Sequence, residues 1–310
     1  MPDGLLIIDK PAGPTSHDVV ARMRRALREK RIGHTGTLDP MATGVLLLVV
    51  GKATRLAKFL SASDKSYDAI VRLGFATDTA DAQGRPIGPV SDHPLPSRDN
   101  IDAALDPFRG TFMQQPPAFS AKKIDGQRSY MLARARSPDP PALPAPASVT
   151  AHRIEIISLE ADTVTMSVDC SAGFYIRSLA HDVGERLGIG AHLTALRRTR
   201  IGDCALDQAV TLDAAERDPQ SAAAAIVPLA RMLPGLASAV LTVEGVNRAV
   251  HGCDLGPGDL SVSEPSALSP QLSGLGSQPF VKLLDPGGAL VAIAQPTGAG
   301  GFLHPSVVLV

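Results

Sequence analysis

The sequence predicts an α+β protein: a mixed or antiparallel sheet flanked by helices, followed by a small β-barrel-like domain. Three observations lead there. Strand-like and helix-like segments follow one another in mixed order rather than in strict βα alternation. Val45 to Val50 is continuously apolar, which suits a strand covered on both faces. Beyond Met232-Leu233-Pro234-Gly235 the apolar segments become short and are punctuated by Gly, Pro and Ser. The domains are therefore expected at 1–236 and 237–310.

Leu5 to Ile8 reads as a strand closed by Asp9-Lys10-Pro11 and Gly13-Pro14. Ser16 is placed to cap a helix running to about Lys30, with Val19, Val20, Met23, Ala26 and Leu27 on one face. Ile32 to Gly44 reads as a loop, Val45 to Val50 as a central strand and Lys52 to Leu60 as a short helix. Tyr67, Ala69, Val71 and Leu73 alternate with Asp68, Ile70 and Arg72, a strand pattern. Asp78 to Gly88 is turn-rich, and Ser97 caps a helix carrying Ile101, Ala104 and Leu105. Residues 115–147 hold seven prolines around a basic helix from Gln127 to Arg136, and read as an insertion outside the core. Val149 to Leu159 and Val164 to Cys170 are neighbouring strands. Tyr175 to Leu187 is helical, His192 to Ile201 is extended, and an Ala-rich helical stretch begins at Thr211. The last domain contains segments Ala239 to Val243, Phe280 to Leu284, Leu290 to Ala294 and Val307 to Val310, interrupted by a Ser/Pro/Gly-rich loop from Ser261 to Gln278.

Composition excludes several classes. With 44% apolar and 20% charged residues, the chain is not disordered as a whole. The longest apolar run has six residues, against the roughly 20 of a membrane helix. The start, Met1-Pro2-Asp3-Gly4, has no basic region, so no secretory signal is expected. Cys170, Cys204 and Cys253 are odd in number and widely spaced. They read as core hydrophobes in a reducing cytoplasm. No GxSxG or GxGxxG occurs, Gly44 and Gly51-Lys52 lack phosphate-loop spacing, and the eight histidines lack ligand spacing. A metal or cofactor is not expected, and neither is a membrane or an obligate protein partner. A monomer is expected because no surplus apolar stripe is visible.

The net charge of −1 conceals a division. Residues 201–310 hold four Lys/Arg and ten Asp/Glu, leaving 26 and 21 in residues 1–200, a net of +5. Arg22, Arg24, Arg25, Arg28, Lys30 and Arg31 oppose only Glu29, and Arg197, Arg198 and Arg200 form a second cluster. Both a solvated helix face and a phosphate-binding stripe fit that pattern.

Two constellations bear chemistry. In Gly33-His34-Thr35-Gly36-Thr37-Leu38-Asp39-Pro40-Met41-Ala42-Thr43-Gly44, glycines permit tight backbone geometry, and Pro40 restrains Asp39 to extended conformations. That would hold one carboxylate rigidly at a sheet edge; an Asp-Pro turn of purely structural purpose has the same residues. In Gly173-Phe174-Tyr175-Ile176-Arg177-Ser178, Tyr175 and Arg177 share a side if extended, and Arg177 could pair with a carboxylate. An ordinary strand-to-helix junction reads the same way.

Together with Gly4 to Pro11, Asp64-Lys65-Ser66-Tyr67, Ser120-Ala121-Lys122-Lys123 through Tyr130, and Gly190-Ala191-His192-Leu193 through Leu196-Arg197-Arg198, these segments closely resemble the TruB family of tRNA pseudouridine synthases. They occur in the family's order over about residues 4–200, and the C-terminal part resembles a PUA-type RNA-binding domain more weakly. The resemblance implies the pseudouridine synthase fold with an inserted thumb at 115–147. It implies isomerisation of uridine to pseudouridine in the T-loop of tRNA, at position 55, without a cofactor. It gives Asp39 as the catalytic residue, Tyr67 as the platform for the base and Arg177 as the partner of Asp39. Tyr175 and Leu196 are implied as pocket walls, Lys10 with Pro11 as a structural motif beside the pocket, and His34 as the group that meets the tRNA loop near the vacated base position. The basic stripe from Arg22 to Arg31 would bind tRNA backbone. An RNA-guided catalytic subunit and a non-catalytic tRNA-folding chaperone are the alternative functions.

Overall fold

In the computed structural model of the protein, residues 2–120, 123–124, 127–128, 143–261, 280–297 and 302–309 are described. One mixed sheet organises the chain. Its main path runs Val210–Thr211, Gly4–Lys10, Thr43–Val50, Ala191–Ile201, Lys65–Leu73, Thr163–Cys170, Ala147–Glu160 and Gly110–Gln114. Neighbours are antiparallel except at two places, Val210–Thr211 with Gly4–Lys10 and Thr43–Val50 with Ala191–Ile201. The second parallel contact has only two register pairs, Arg197 with Thr43 and Arg198 with Gly44. It is the seam on which the candidate site is built.

The apolar run from Val45 to Val50 is explained by burial on both sides. Val45, Leu47 and Val49 point into one cluster with Leu5 and Ile7, while Leu46, Leu48 and Val50 point into another with Leu6 and Ile8. The second cluster is closed by helix Ser16–Leu27 through Val19, Val20, Met23 and Leu27, and by the helices Leu212–Arg217 and Pro219–Ala224. A third cluster covers the far half of the sheet with helices Arg98–Leu105 and Ile176–Arg186.

Several local expectations change. Thr15, not Ser16, caps the first helix: its side chain accepts from the Asp18 amide, and Asp18 returns a bond to the Thr15 backbone. Ser16 is buried and is used elsewhere, as shown below. The helix stops at Arg28, which adopts the left-handed conformation (φ 53°), so Lys30 and Arg31 lie beyond it. Ile32–Thr35 is a strand paired with Thr43–Val50, leaving a loop of only seven residues between them. The Lys52–Leu60 segment is a 3₁₀ turn, Gly51–Leu56, followed by the short helix Ala57–Ser61. Lys123–Ile124 and Gln127–Arg128 pair as a two-stranded ribbon apart from the main sheet. Past Arg128, the expected basic helix lies outside the described residues, as does most of the loop from Ser261 to Gln278.

The C-terminal part is a four-stranded sheet, Ala237–Val240, Val281–Leu284, Leu290–Pro296 and Leu303–Val308 in that order, with helix Val243–Val250. It shares a core with the large sheet. Phe280, Leu290, Ile293 and Leu309 join Leu5, Val45, Phe59 and Leu60 in one cluster, and the Phe59 and Phe280 rings meet edge-to-face at 4.9 Å. Buried Lys282 donates to the Ala230 and Met232 carbonyls across the boundary. Phe280→Ala is therefore expected to destabilise the whole chain by about 3 kcal/mol. Denaturant unfolding should remain a single transition by two independent probes. Separate transitions for the two parts would show that the shared cluster does not couple them.

Candidate active site

The seven residues from Gly36 to Ala42 cross from one strand to the next, so most of their backbone groups have no ladder partner. The surrounding residues supply partners. Ser16 Oγ accepts from the Leu38 amide at 2.9 Å and donates to the Leu38 carbonyl at 3.1 Å. The Gly13 amide donates to Pro40 O at 2.8 Å. Lys10, fully buried, donates to Pro40 O at 3.3 Å and to Pro11 O and Pro14 O at 2.8 and 2.9 Å. Arg198, 1% exposed, donates from Nη2 to Gly36 O (2.8 Å), from Nη1 to Thr37 O (3.4 Å) and from Nε to Val45 O (2.8 Å).

Gly44 makes this approach possible. It sits at φ +99°, and a Cβ there would lie 2.1 Å from the Arg198 carbonyl oxygen. Only glycine satisfies both constraints. Arg197, the next residue in the register, pairs with Asp9 at 2.8 Å and donates to Thr43 Oγ1 at 3.2 Å. Arg197 and Arg198 thus brace the loop from the seam.

The loop presents Asp39 with its side chain about one-third exposed. Arg177 Nε lies 2.9 Å from Asp39 Oδ2. Arg177 stands in the first turn of helix Ile176–Arg186, is 5% exposed, and also donates to Thr79 O at 3.1 Å and Phe119 O at 2.7 Å. A second carboxylate faces it: Asp81 Oδ2 is 3.7 Å from Arg177 Nη1. Asp81 is buried and fixed by Thr79 Oγ1 at 2.7 Å and the Gln83 amide at 3.0 Å. One guanidinium thus joins an accessible carboxylate to a buried one.

Asp39, Tyr67, Tyr175, Arg177 and Leu196 all line one cavity of about 230 Å³, together with Lys65, Ser120 and Arg198. Tyr67 comes from strand Lys65–Leu73 and is 7% exposed; burial pushes its phenol above the ordinary range. Burial also raises Tyr175, whose backbone is held by Gln114 on both its amide and carbonyl. Lys10 lies beside the cavity rather than in its wall, and burial lowers its ammonium to about 8. His34 is half-buried outside the cavity wall, its ring edge-to-face with His17 at 4.9 Å. Among the described residues no three His, Cys, Asp or Glu side chains converge on a point.

The basic stripe is partly committed within the protein. Arg22 pairs with Glu216 and Asp213, Arg24 donates to Ile32 O at 2.6 Å, and Arg31 lies 3.7 Å from Glu29. Arg25, Arg28 and Lys30 are exposed and make no ion pair among the described residues. Sequence reasoning missed Asp81, Lys65 and the buried role of Arg198. For Asp81 the signal was weak, an aspartate within a turn-rich run. Arg198 looked like part of a surface cluster.

Asp39, paired with buried Arg177, and the Tyr67 and Tyr175 rings thus share one cavity. The comparisons with known proteins make this specific. Residues 24–176 match the TruB family pseudouridylate synthase N-terminal domain, and residues 177–239 match the tRNA pseudouridylate synthase B C-terminal domain. A tRNA pseudouridine synthase B of Solibacter usitatus is 40% identical over 313 residues, covering 99% of this chain and all of that one. The enzyme of that name from Ralstonia nicotianae is 41% identical over 308 residues, 97% of this chain and 92% of the relative. The structure of an H/ACA RNP bound to a substrate RNA containing 2'-deoxyuridine superposes with a TM-score of 0.67 at 25% identity, over 99% of this chain and 85% of that one. The chain belongs to the TruB family of pseudouridylate synthases.

The Asp81 contact yields a prediction. Asp81→Asn removes a charge from Arg177 while keeping the shape of the turn. Saturated single-turnover rate should fall by about tenfold or more through loss of alignment, with tRNA affinity within about twofold. An unchanged rate would show that Asp39 and Arg177 align without it.

Proposed function

We propose that this chain isomerises uridine to pseudouridine in the T-loop of tRNA, at position 55, as an enzyme acting without a guide RNA. The observation that carries this reading is the 2.9 Å pairing of Asp39 with Arg177 in a cavity walled by Tyr67, Tyr175 and Leu196. Full-length similarity to enzymes named tRNA pseudouridine synthase B supports it.

The reaction breaks N1–C1′, turns the uracil and joins C5 to C1′. No atoms or electrons are gained or lost overall. Asp39 is the group that serves the sugar carbon, either by attacking C1′ or by stabilising positive charge there. Arg177 is too buried and too fully hydrogen-bonded to swing, so it fixes the direction of the carboxylate. Tyr67 offers a flat face to the base, worth roughly 1–3 kcal/mol of stacking. The target must leave its own stack first, at a cost of a few kcal/mol. The vacated space favours refilling by a protein group, and His34, on the strand that leads into the Asp39 loop, is the candidate. Arg25, Arg28 and Lys30 are the members of the basic stripe best suited to phosphates, because Arg22, Arg24 and Arg31 are already engaged. Recognition then rests on the shape of the folded loop.

The likeness to an H/ACA ribonucleoprotein structure favours a second reading, a guide-dependent catalytic subunit. Activity of the isolated chain on a bare tRNA transcript separates the two. Asp39→Asn is isosteric and removes the charge and the nucleophile. It is expected to lower the single-turnover rate by at least 10²-fold while tRNA binding is retained. A variant retaining a tenth of the wild-type rate would remove Asp39 from the chemistry.

A further inference from the structure

Four buried cations surround the Asp39 loop, and three of them hold its backbone or its carboxylate. Lys10 donates to three carbonyls beside the cavity. Arg198 holds Gly36, Thr37 and Val45. Arg177 holds Asp39, Thr79 and Phe119. Lys65 is different. It begins the strand that carries Tyr67 and, two residues away, projects from the same face of that strand. It is 7% exposed and lines the cavity with Tyr67 and Ser61. Its Nζ donates to Ser63 O at 2.6 Å and Ser61 O at 3.3 Å. An ammonium has three N–H donors, so one is left without an acceptor among the described residues. Lys65 also makes no ion pair among them. A buried cation without a counter-ion is costly. At the wall of a substrate cavity, its charge is available to the occupant.

The proposed reaction creates the matching charge. When N1–C1′ breaks, the bonding pair leaves with N1, and the detached uracil carries a negative charge spread over N1, O2 and O4. We propose that the Lys65 ammonium donates its remaining N–H to the detached uracil, stabilising the anion and retaining the base while it turns. This rests on the function proposed above. Lys65 keeps its proton throughout. C5 then bonds to C1′, the C5 proton is released and N1 takes one up, so the atoms of uridine are conserved.

The groups facing Lys65 define its titration. Burial, with Arg198 on strand Ala191–Ile201 adding to it, lowers its pKa to about 8, and Asp64 in the preceding turn opposes this; Cys170 on strand Thr163–Cys170 also faces it. The Cys170 thiol is pushed up to about 12, so it does not titrate in this range. Lys10, on the other side of the loop, also falls to about 8 and is the competing source of any alkaline effect. Because the protonated form is the active one, the rate should fall as pH rises through about 8.

The test uses the full chain, a tRNA transcript and single-turnover rates from pH 6 to 10. Lys65→Met should lower the saturated rate by about 10²-fold, the scale for removing one preorganised donor from developing negative charge, with tRNA affinity within about twofold. Lys65→Arg should stay within about tenfold of wild type and lose the alkaline decline, because a guanidinium remains charged. Weaker binding with an unchanged saturated rate for Lys65→Met would mean a phosphate contact in the ground state, and would overturn the proposal. An alkaline decline left in place by Lys65→Arg would assign it to another group, Lys10 first, and would also overturn it. If Lys65→Met fails to fold, the Lys65→Arg profile decides alone. Pseudouridine formed by the wild type in the same assay separates failure of this inference from failure of the functional reading.

Discussion

Holding the carbonyl groups of the Asp39 loop is the constraint on which the site depends. A seven-residue crossing between two strands leaves backbone acceptors without ladder partners, and burying them unpaired would cost kilocalories each. Arg198, Lys10 and Ser16 take them. Each of the three is buried and each comes from a different element, so the loop is fixed from the seam, from the end of the first strand and from the start of the first helix. The aspartate direction follows from the backbone, and Arg177 completes it from a fourth element, the helix Ile176–Arg186.

That arrangement explains features of the fold that would otherwise look unrelated. The short parallel contact between Thr43–Val50 and Ala191–Ile201 places Arg198 under the loop. Gly44 is needed because the two backbones approach too closely for a Cβ. The double-sided burial of Val45 to Val50 anchors the strand into which the loop runs, with the C-terminal sheet covering one side of it. The small sheet therefore supports the strand into which the Asp39 loop runs, besides any part it has in binding RNA.

Much of this was legible in the sequence. The Val45 to Val50 run pointed to the central strand because burial on both faces removes alternation, and the Gly-rich Asp39-Pro40 loop offered Asp39 as a candidate carboxylate, with a purely structural turn left open until the family pattern was considered. Tyr67 and Leu196 came from the family pattern alone; Tyr175 and Arg177 were candidates from their spacing, with an ordinary strand-to-helix junction equally open, and no local rule brings positions so far apart in sequence into one cavity. What stayed hidden depends on long-range contacts. Asp81 looks like any turn aspartate until Arg177 is placed beside it. Arg198 looks like a surface cation because its partners are carbonyls 153 to 162 residues away, which leave no sequence signature. Ser16 was read as a helix cap because Thr15 and Ser16 have the same chemistry, and only the packing against Leu38 separates them.

The central claim is that a rigid aspartate loop makes this single chain a complete uridine isomerase for tRNA. The most direct measurement is site-by-site mapping of pseudouridine in an unmodified tRNA transcript incubated with the purified chain and no other RNA or protein. One new pseudouridine, in the T-loop, is the predicted result. A transcript left unmodified until a guide RNA or partner is added, or one modified only outside the T-loop, would contradict the account.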